Sequence, residues 1–272
     1  MSRIRAAFDR ARAENRAALI PYLCAGDPDL DTTYELVLAA AEGGADVIEL
    51  GMPFSDPTAD GPVIQRASER ALRSGTTLRG VLSLVERIRK QSDVAIVLFG
   101  YYNPILAFGE YELAQAAAKA GVDGVLVVDL PPEEAGTLLS ALRAVALDFI
   151  PFIAPTTSEL RTRRIAESAS AFLYYVSLTG VTGASTDLGR AAARAEQVRS
   201  QTGLPVAVGF GIKTPADAAL VAARADGVIV GAALCSIVEQ TPRAELVPTL
   251  RAYVAALRAA VVRAPAQASA RG

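Results

Sequence analysis

Three carboxylates fall within twelve residues of one another in the stretch ADVIELGMPFSDPTADGP, residues 45–62: Glu49, Asp56 and Asp60. Glu49 sits near the end of a short apolar run, residues 46–50, that reads as a strand, and both aspartates follow in a loop rich in Gly, Pro and Asp. An ionised carboxylate inside an apolar strand is costly unless it is paired, protonated or used. Acids at a strand end could supply general acid and base. Plainer readings stand beside this one. Glu49 could be a salt-bridged core residue, although no lysine or arginine lies near another expected strand end. Asp60 could be an ordinary turn aspartate, and Asp56 reads best as a turn or helix cap.

A second set of residues could hold an anion. Glycines recur in SLTGVTGAST (177–186), VGFGIKTP (208–215) and VGAAL (230–234). Glycine lets backbone N–H groups approach a ligand closely, and a short helix beginning near Gly231 would aim its positive end at a phosphate. Tight turns are the alternative use of Gly209, Gly211 and Gly231.

Absences narrow the chemistry. The chain has no histidine, which removes Ser-His-Asp triads and the usual His-containing metal sites. Of its three lysines, Lys90 and Lys119 fall in helical patterns, leaving Lys213 as the candidate for Schiff-base chemistry. Cys24 and Cys235 are expected as reduced thiols rather than a disulfide framework, with Cys24 an inert small residue. A formal charge of −2 with scattered arginines suggests no nucleic-acid surface. No apolar run is long enough to span a bilayer and no secretory leader is evident, so a soluble, cytoplasmic protein is expected.

The elements that must position these residues repeat with a strand-helix beat. Strands are expected at 17–23, 46–50, 94–99, 124–129, 149–153, 171–177, 205–209 and 227–230. Helices are expected at 31–42, 63–73, 78–90, 111–120, 132–144, 158–168, 187–201, 215–223 and 243–262. An N-terminal helix at 2–13, with Ile4, Phe8 and Ala11 on one face, would form a lid over the barrel bottom, and 264–272 reads as a frayed tail. Eight near-continuous apolar strands, each followed by helix, predict a closed (β/α)8 TIM barrel, with residues 1–272 as one domain. A dinucleotide-binding sheet would want GxGxxG after the first strand, where AGDPD stands instead. In a barrel, Glu49 would share one mouth with Tyr22, Phe99, Asp129, Tyr174, Phe210 and Gly231.

GDP at 26–28, ELGMPFSDPTADGPVIQ at 49–65, YYNPI at 101–105, YYVSLTGVTGA at 174–184 and GFGI at 209–212 occur in order and in register. With these motifs the chain closely resembles the tryptophan synthase alpha chain family. The resemblance implies retro-aldol cleavage of indole-3-glycerol phosphate to indole and D-glyceraldehyde 3-phosphate. It gives Glu49 the proton transfers at indole C3 and the glycerol hydroxyl, Asp60 the indole N–H, and Tyr174 an accessory role. Gly183, Gly211, Gly231 and Ala232 fall on the phosphate positions, Tyr22, Phe99, Leu126 and Phe210 would wall the indole, and Tyr101 and Thr182 join the substrate-binding set. No metal and no cofactor are implied for this chain. Pyridoxal phosphate is expected in a partner beta chain within an alpha2beta2 tetramer, docked on Pro53, Phe54, Asp56, Asn103, Pro104, Pro131 and Pro132. Two departures stand out: Ala232 replaces the family's usual serine at the phosphate, and Cys24 a usual threonine behind Asp60. A stand-alone indole-releasing lyase and a non-catalytic ligand-binding subunit are the alternatives.

Composition bears on the same reaction. Carbon-carbon cleavage needs an electron sink, usually a lysine imine or a metal. An indole protonated at C3 is its own sink, so carboxylates, an aromatic pocket and a phosphate anchor would suffice.

Overall fold

The computed structural model describes residues 2–176, 184–209 and 211–263. Its strands are β1 (Ala18–Cys24), β2 (Val47–Gly51), β3 (Ala95–Gly100), β4 (Gly124–Val127), β5 (Asp148–Phe149), β6 (Phe152–Ile153), β7 (Leu173–Val176), β8 (Val206–Gly209) and β9 (Gly227–Val230). All pair in parallel in the order β5-β4-β3-β2-β1-β9-β8-β7-β6. The two ends of that order are neighbours in the chain, separated only by Ile150 and Pro151. Ile150 N–H donates to Val125 at 3.0 Å and Pro151 C=O accepts from Tyr174 at 3.0 Å, so the sheet closes on itself. The single fifth strand expected at 149–153 is thus two short pieces. Proline supplies no N–H to a ladder, which explains the interruption at Pro151.

The helices are α1 (Arg3–Ala13), α2 (Leu30–Glu42), α3 (Pro62–Arg73), α4 (Leu78–Arg89), α5 (Tyr102–Phe108), α6 (Glu110–Ala120), α7 (Gly136–Ala144), α8 (Glu159–Ser168), α9 (Ala184–Thr202), α10 (Pro215–Ala222), α11 (Ala232–Gln240) and α12 (Arg243–Ala260). Most expected spans are met within two residues. Two differ. The helix expected from Pro132 begins only at Gly136, because 131–135 fold into turns, consistent with the restriction proline places on the residue before it. The short helix α5 had no counterpart in the sequence pattern; its Pro104 occupies the first turn, where a missing N–H costs nothing. The expected frayed tail, 264–272, lies outside the described residues. No described helix is long and apolar enough to cross a membrane.

Strand alternation sorts the core into two layers. Leu19, Leu23, Ile48, Leu50 and Leu98 point outward beneath the helices, whereas Ile20, Tyr22, Val97, Phe99, Leu126 and Tyr174 fill the barrel. At its lower end α1 buries Ile4, Ala7, Phe8 and Ala11, with Phe8 and Phe172 at 5.1 Å between ring centroids, and so forms the expected lid. Aspartates stitch the same end together. Asp46, Asp123 and Asp226 accept from the amides of Leu19 (2.8 Å), Ile96 (2.8 Å) and Val206 (3.0 Å), and each also pairs with an arginine, Arg16, Arg89 and Arg199 respectively. The opposite end, where the strands finish, is left to loops.

Candidate active site

Glu49 lies in register between Tyr22 of β1 and Val97 of β3 and shares the inner face of β2 with Val47. It is completely buried, and neither carboxylate oxygen has a hydrogen-bond partner among the described residues. The ion-paired reading of Glu49 therefore finds no support. Burial alone pushes its carboxyl well above the ordinary range, as expected when a charge would lose water without compensation.

An aromatic belt surrounds it. Tyr22 meets Phe99 edge-on at 5.2 Å, Phe99 meets Phe152 at 6.2 Å, and Phe152 meets Tyr174 at 4.7 Å. Two glycines make room for the tyrosines. A β-carbon on Gly51 would lie 2.2 Å from the Tyr22 hydroxyl, and one on Gly209 2.1 Å from that of Tyr174. Each ring thus lies across the end of the neighbouring strand. Burial raises both phenols well above their usual range, and the charges of Glu49 and Asp60 raise Tyr174 further. Tyr175, next along β7, points into the outer layer. Phe152 escaped the sequence reading because Pro151 obscured the alternation that pairs it with inward Ile150.

Asp60 approaches from the loop between β2 and α3. The Tyr101 hydroxyl donates to Asp60 Oδ2 at 2.9 Å and accepts from Ala59 N–H at 3.0 Å, while Gln65 holds the Asp60 carbonyl at 2.9 Å. Burial lifts the Asp60 carboxyl to about 6 against the opposing pull of the Tyr101 hydrogen bond. Tyr101, expected among the substrate-binding residues, therefore acts on the loop that carries Asp60. Cys24, in the position behind that loop, is a buried free thiol, raised well above its usual range by burial.

After β9, which pairs with β1, Gly231 caps the N-terminus of α11 and packs near Tyr22 and Ile64, whose atoms would lie 3.5–3.7 Å from a β-carbon there. Gly211 has φ of 80°, a conformation natural to glycine. Ala232 is exposed at the first position of α11. Thr182, Gly183 and Phe210 lie outside the described residues. Ile64, one turn beyond Asp60, is a further inward residue that the sequence reading missed; its only signal was its distance from Asp60 on a helix.

Other expectations fall elsewhere. Asp129 does not join the mouth: it is exposed and accepts from Tyr102 N–H at 2.7 Å, holding the start of α5. Asp56 caps no helix and instead accepts from Ser55 Oγ at 2.5 Å on the exposed loop. Lys213 is exposed in the turn before α10. Among the described residues, no cluster of three acidic, cysteine or histidine groups could hold a metal. Pro53 and Phe54 follow β2, Asn103 and Pro104 lie in the first turn of α5 after β3, and Pro131 and Pro132 follow β4, all beyond the strands' C-terminal ends, with the tilted rings of Phe54 and Tyr101 5.3 Å apart between centroids. On the outer side of the Phe54 loop is a cavity of about 610 Å³ reaching to Arg66 and Leu72.

The family model described as tryptophan synthase alpha chain matches residues 8–261. Curated alpha chains from Dechloromonas aromatica and Geobacter sp. strain M21 are 51% and 50% identical, over 96% and 97% of this chain and 98% and 99% of theirs. The crystal structure of tryptophan synthase subunit alpha from Legionella pneumophila superimposes with a TM-score of 0.89 at 42% identity, covering 96% of this chain and 98% of that one. A closed barrel with a buried acid at its second strand, matched to these relatives along nearly its whole length, belongs to the tryptophan synthase alpha chain family.

Proposed function

We propose that the chain carries out its family's reaction, cleavage of indole-3-glycerol phosphate to indole and D-glyceraldehyde 3-phosphate, by general acid-base catalysis without a metal or Schiff base. The observation that carries this reading is Glu49: fully buried, without a hydrogen-bond partner among the described residues, and set in an aromatic pocket. A carboxyl held protonated near neutral pH can give up a proton that an ordinary glutamate would already have lost.

In this reading Glu49 protonates indole C3, and Asp60 holds the ring N–H as positive charge develops there. The C3 to side-chain bond then breaks, returning its electron pair to the ring and restoring aromaticity. The hydroxyl on the departing carbon becomes the aldehyde, and its proton returns to Glu49. Protons and electrons balance with no further reactant. Tyr174, buried against Glu49, is the accessory group. Tyr22, Phe99, Leu126 and Phe210, with Phe152 added, would wall the ring. Gly211, Gly231, Ala232 and the Thr182–Gly183 segment would hold the phosphate, favoured by the N-terminus of α11.

Indole passes to a beta chain, which carries the pyridoxal phosphate. We place that partner on the rim built by Pro53, Phe54, Asp56, Asn103, Pro104, Pro131 and Pro132, in an alpha2beta2 assembly in the cytoplasm, with residues 1–272 acting as one domain. The test is to mix the purified chain with indole-3-glycerol phosphate and follow indole release with and without a beta chain. Release strongly boosted by the beta chain is expected, and Glu49→Gln should lose release while still binding ligand. Fast release without a partner would make the chain a stand-alone lyase, and full activity in Glu49→Gln would remove Glu49 from the mechanism.

A further inference from the structure

Four charged side chains behind the site take no part in that chemistry. Asp27, in the loop after β1, is almost fully buried, and both its oxygens take the fork of Arg70, at 2.7 Å from Nε and 2.8 Å from Nη2. The remaining Arg70 nitrogen donates to Glu239 at 3.0 Å, and Arg66, one turn earlier on α3, forks onto the same Glu239 at 2.7 and 2.8 Å. Glu239 belongs to the last turn of α11. One ionic cluster therefore joins α3, whose N-terminus follows Asp60, to α11, whose N-terminus carries Gly231 and Ala232.

Further contacts tie α3 to the site. Ser68 accepts from Phe54 N–H at 2.8 Å and donates to the Phe54 carbonyl at 2.9 Å, pinning the loop that ends in Asp60. Ile64 packs near Gly231. Helices of this length, about 13 Å for α11 and about 18 Å for α3, behave as stiff rods, so a clamp at one end fixes the placement of the other.

We propose that Arg70 is a positioning residue which, by clamping α3 to α11 through Asp27 and Glu239, registers the Asp60 loop against the phosphate end of the site. Anchoring a phosphate group then sets the carboxylate that faces the ring. The inference rests on the function proposed above. Arginine suits the role because its planar fork satisfies Asp27 while a third nitrogen reaches Glu239, which a lysine cannot reproduce.

The experiment uses the full chain and two probes, inorganic phosphate for the α11 end and indole for the aromatic end. Each is titrated calorimetrically alone and with the other saturating. In the unaltered chain, phosphate should tighten indole binding at least about fivefold, with the reciprocal effect equal. Glu239→Gln removes the charge of the Glu239 arm, which is about 24% exposed, and Arg70→Lys keeps the charge without the fork. In both, each probe alone should bind within about twofold of the unaltered chain while the coupling factor falls to about one. Coupling that survives in both variants overturns the proposal, as does its absence in the unaltered chain when both probes bind. Failure of either probe to bind the unaltered chain would sink the functional reading, and this inference with it.

Discussion

Asp60→Asn should make this protein more stable while removing its activity, and the size of the gain can be worked out. The Asp60 carboxyl sits at about 6 against an ordinary 3.8 because it is partly withdrawn from water. Its folded value is the raised one, so the neutral form suits the fold. That contribution is fully present below 3.8, is lost as pH rises through about 6, and is absent at pH 8. At roughly 1.4 kcal/mol per pH unit the interval amounts to about 3 kcal/mol. Asparagine keeps an oxygen able to accept from the Tyr101 hydroxyl and carries no charge to desolvate. Urea unfolding of both proteins between pH 4 and 8 should show the variant ahead by up to about 3 kcal/mol at the alkaline end, the difference closing towards pH 4. A variant no more stable at pH 8, or a gain that does not vary with pH, would refute the claim that burial of an ionised Asp60 strains the fold. The trade of stability for activity is a common property of active sites.

Three further outcomes are expected. Tyr101→Phe removes the hydroxyl shared by Asp60 and Ala59; stability should drop by about 1–2 kcal/mol, and the Asp60 limb of the kcat/KM pH profile should move upward, since that hydrogen bond lowers its pKa. Gly51→Ala drives a β-carbon to 2.2 Å from the Tyr22 hydroxyl; a loss of about 1–3 kcal/mol in thermal or urea unfolding is expected, together with weaker indole binding by titration. Ala232→Ser adds a hydroxyl at the start of α11; KM for indole-3-glycerol phosphate should fall by roughly tenfold with kcat little changed, the effect of one hydrogen bond to a charged group.

Glu49 was legible because strand alternation fixes its face and because it is a carboxylate on an otherwise apolar strand. The same rule fails around Pro151, where the missing N–H splits β5 from β6 and hides Phe152. Helix α5 was invisible because its first turn holds a proline and its start is capped from outside, by Asp129 of another loop. Asp129 lies beyond β4, which ends at Val127, and its exposed carboxylate is taken up by Tyr102 N–H. The Asp27–Arg70 pair joins residues 43 positions apart, and no local periodicity announces such a partner. Local patterns specify elements and faces, whereas contacts across the barrel emerge only when the helices are seated.

The belt of Tyr22, Phe99, Phe152 and Tyr174 has a spectroscopic consequence. It contains no indole ring, and neither does the rest of the chain, which has no tryptophan. Light at the red edge of tyrosine absorption would therefore excite only an indole that has entered the barrel or left it. Emission should shift to the blue as that ring exchanges water for the aromatic wall, so filling and emptying of the site can be watched continuously with the protein itself dark.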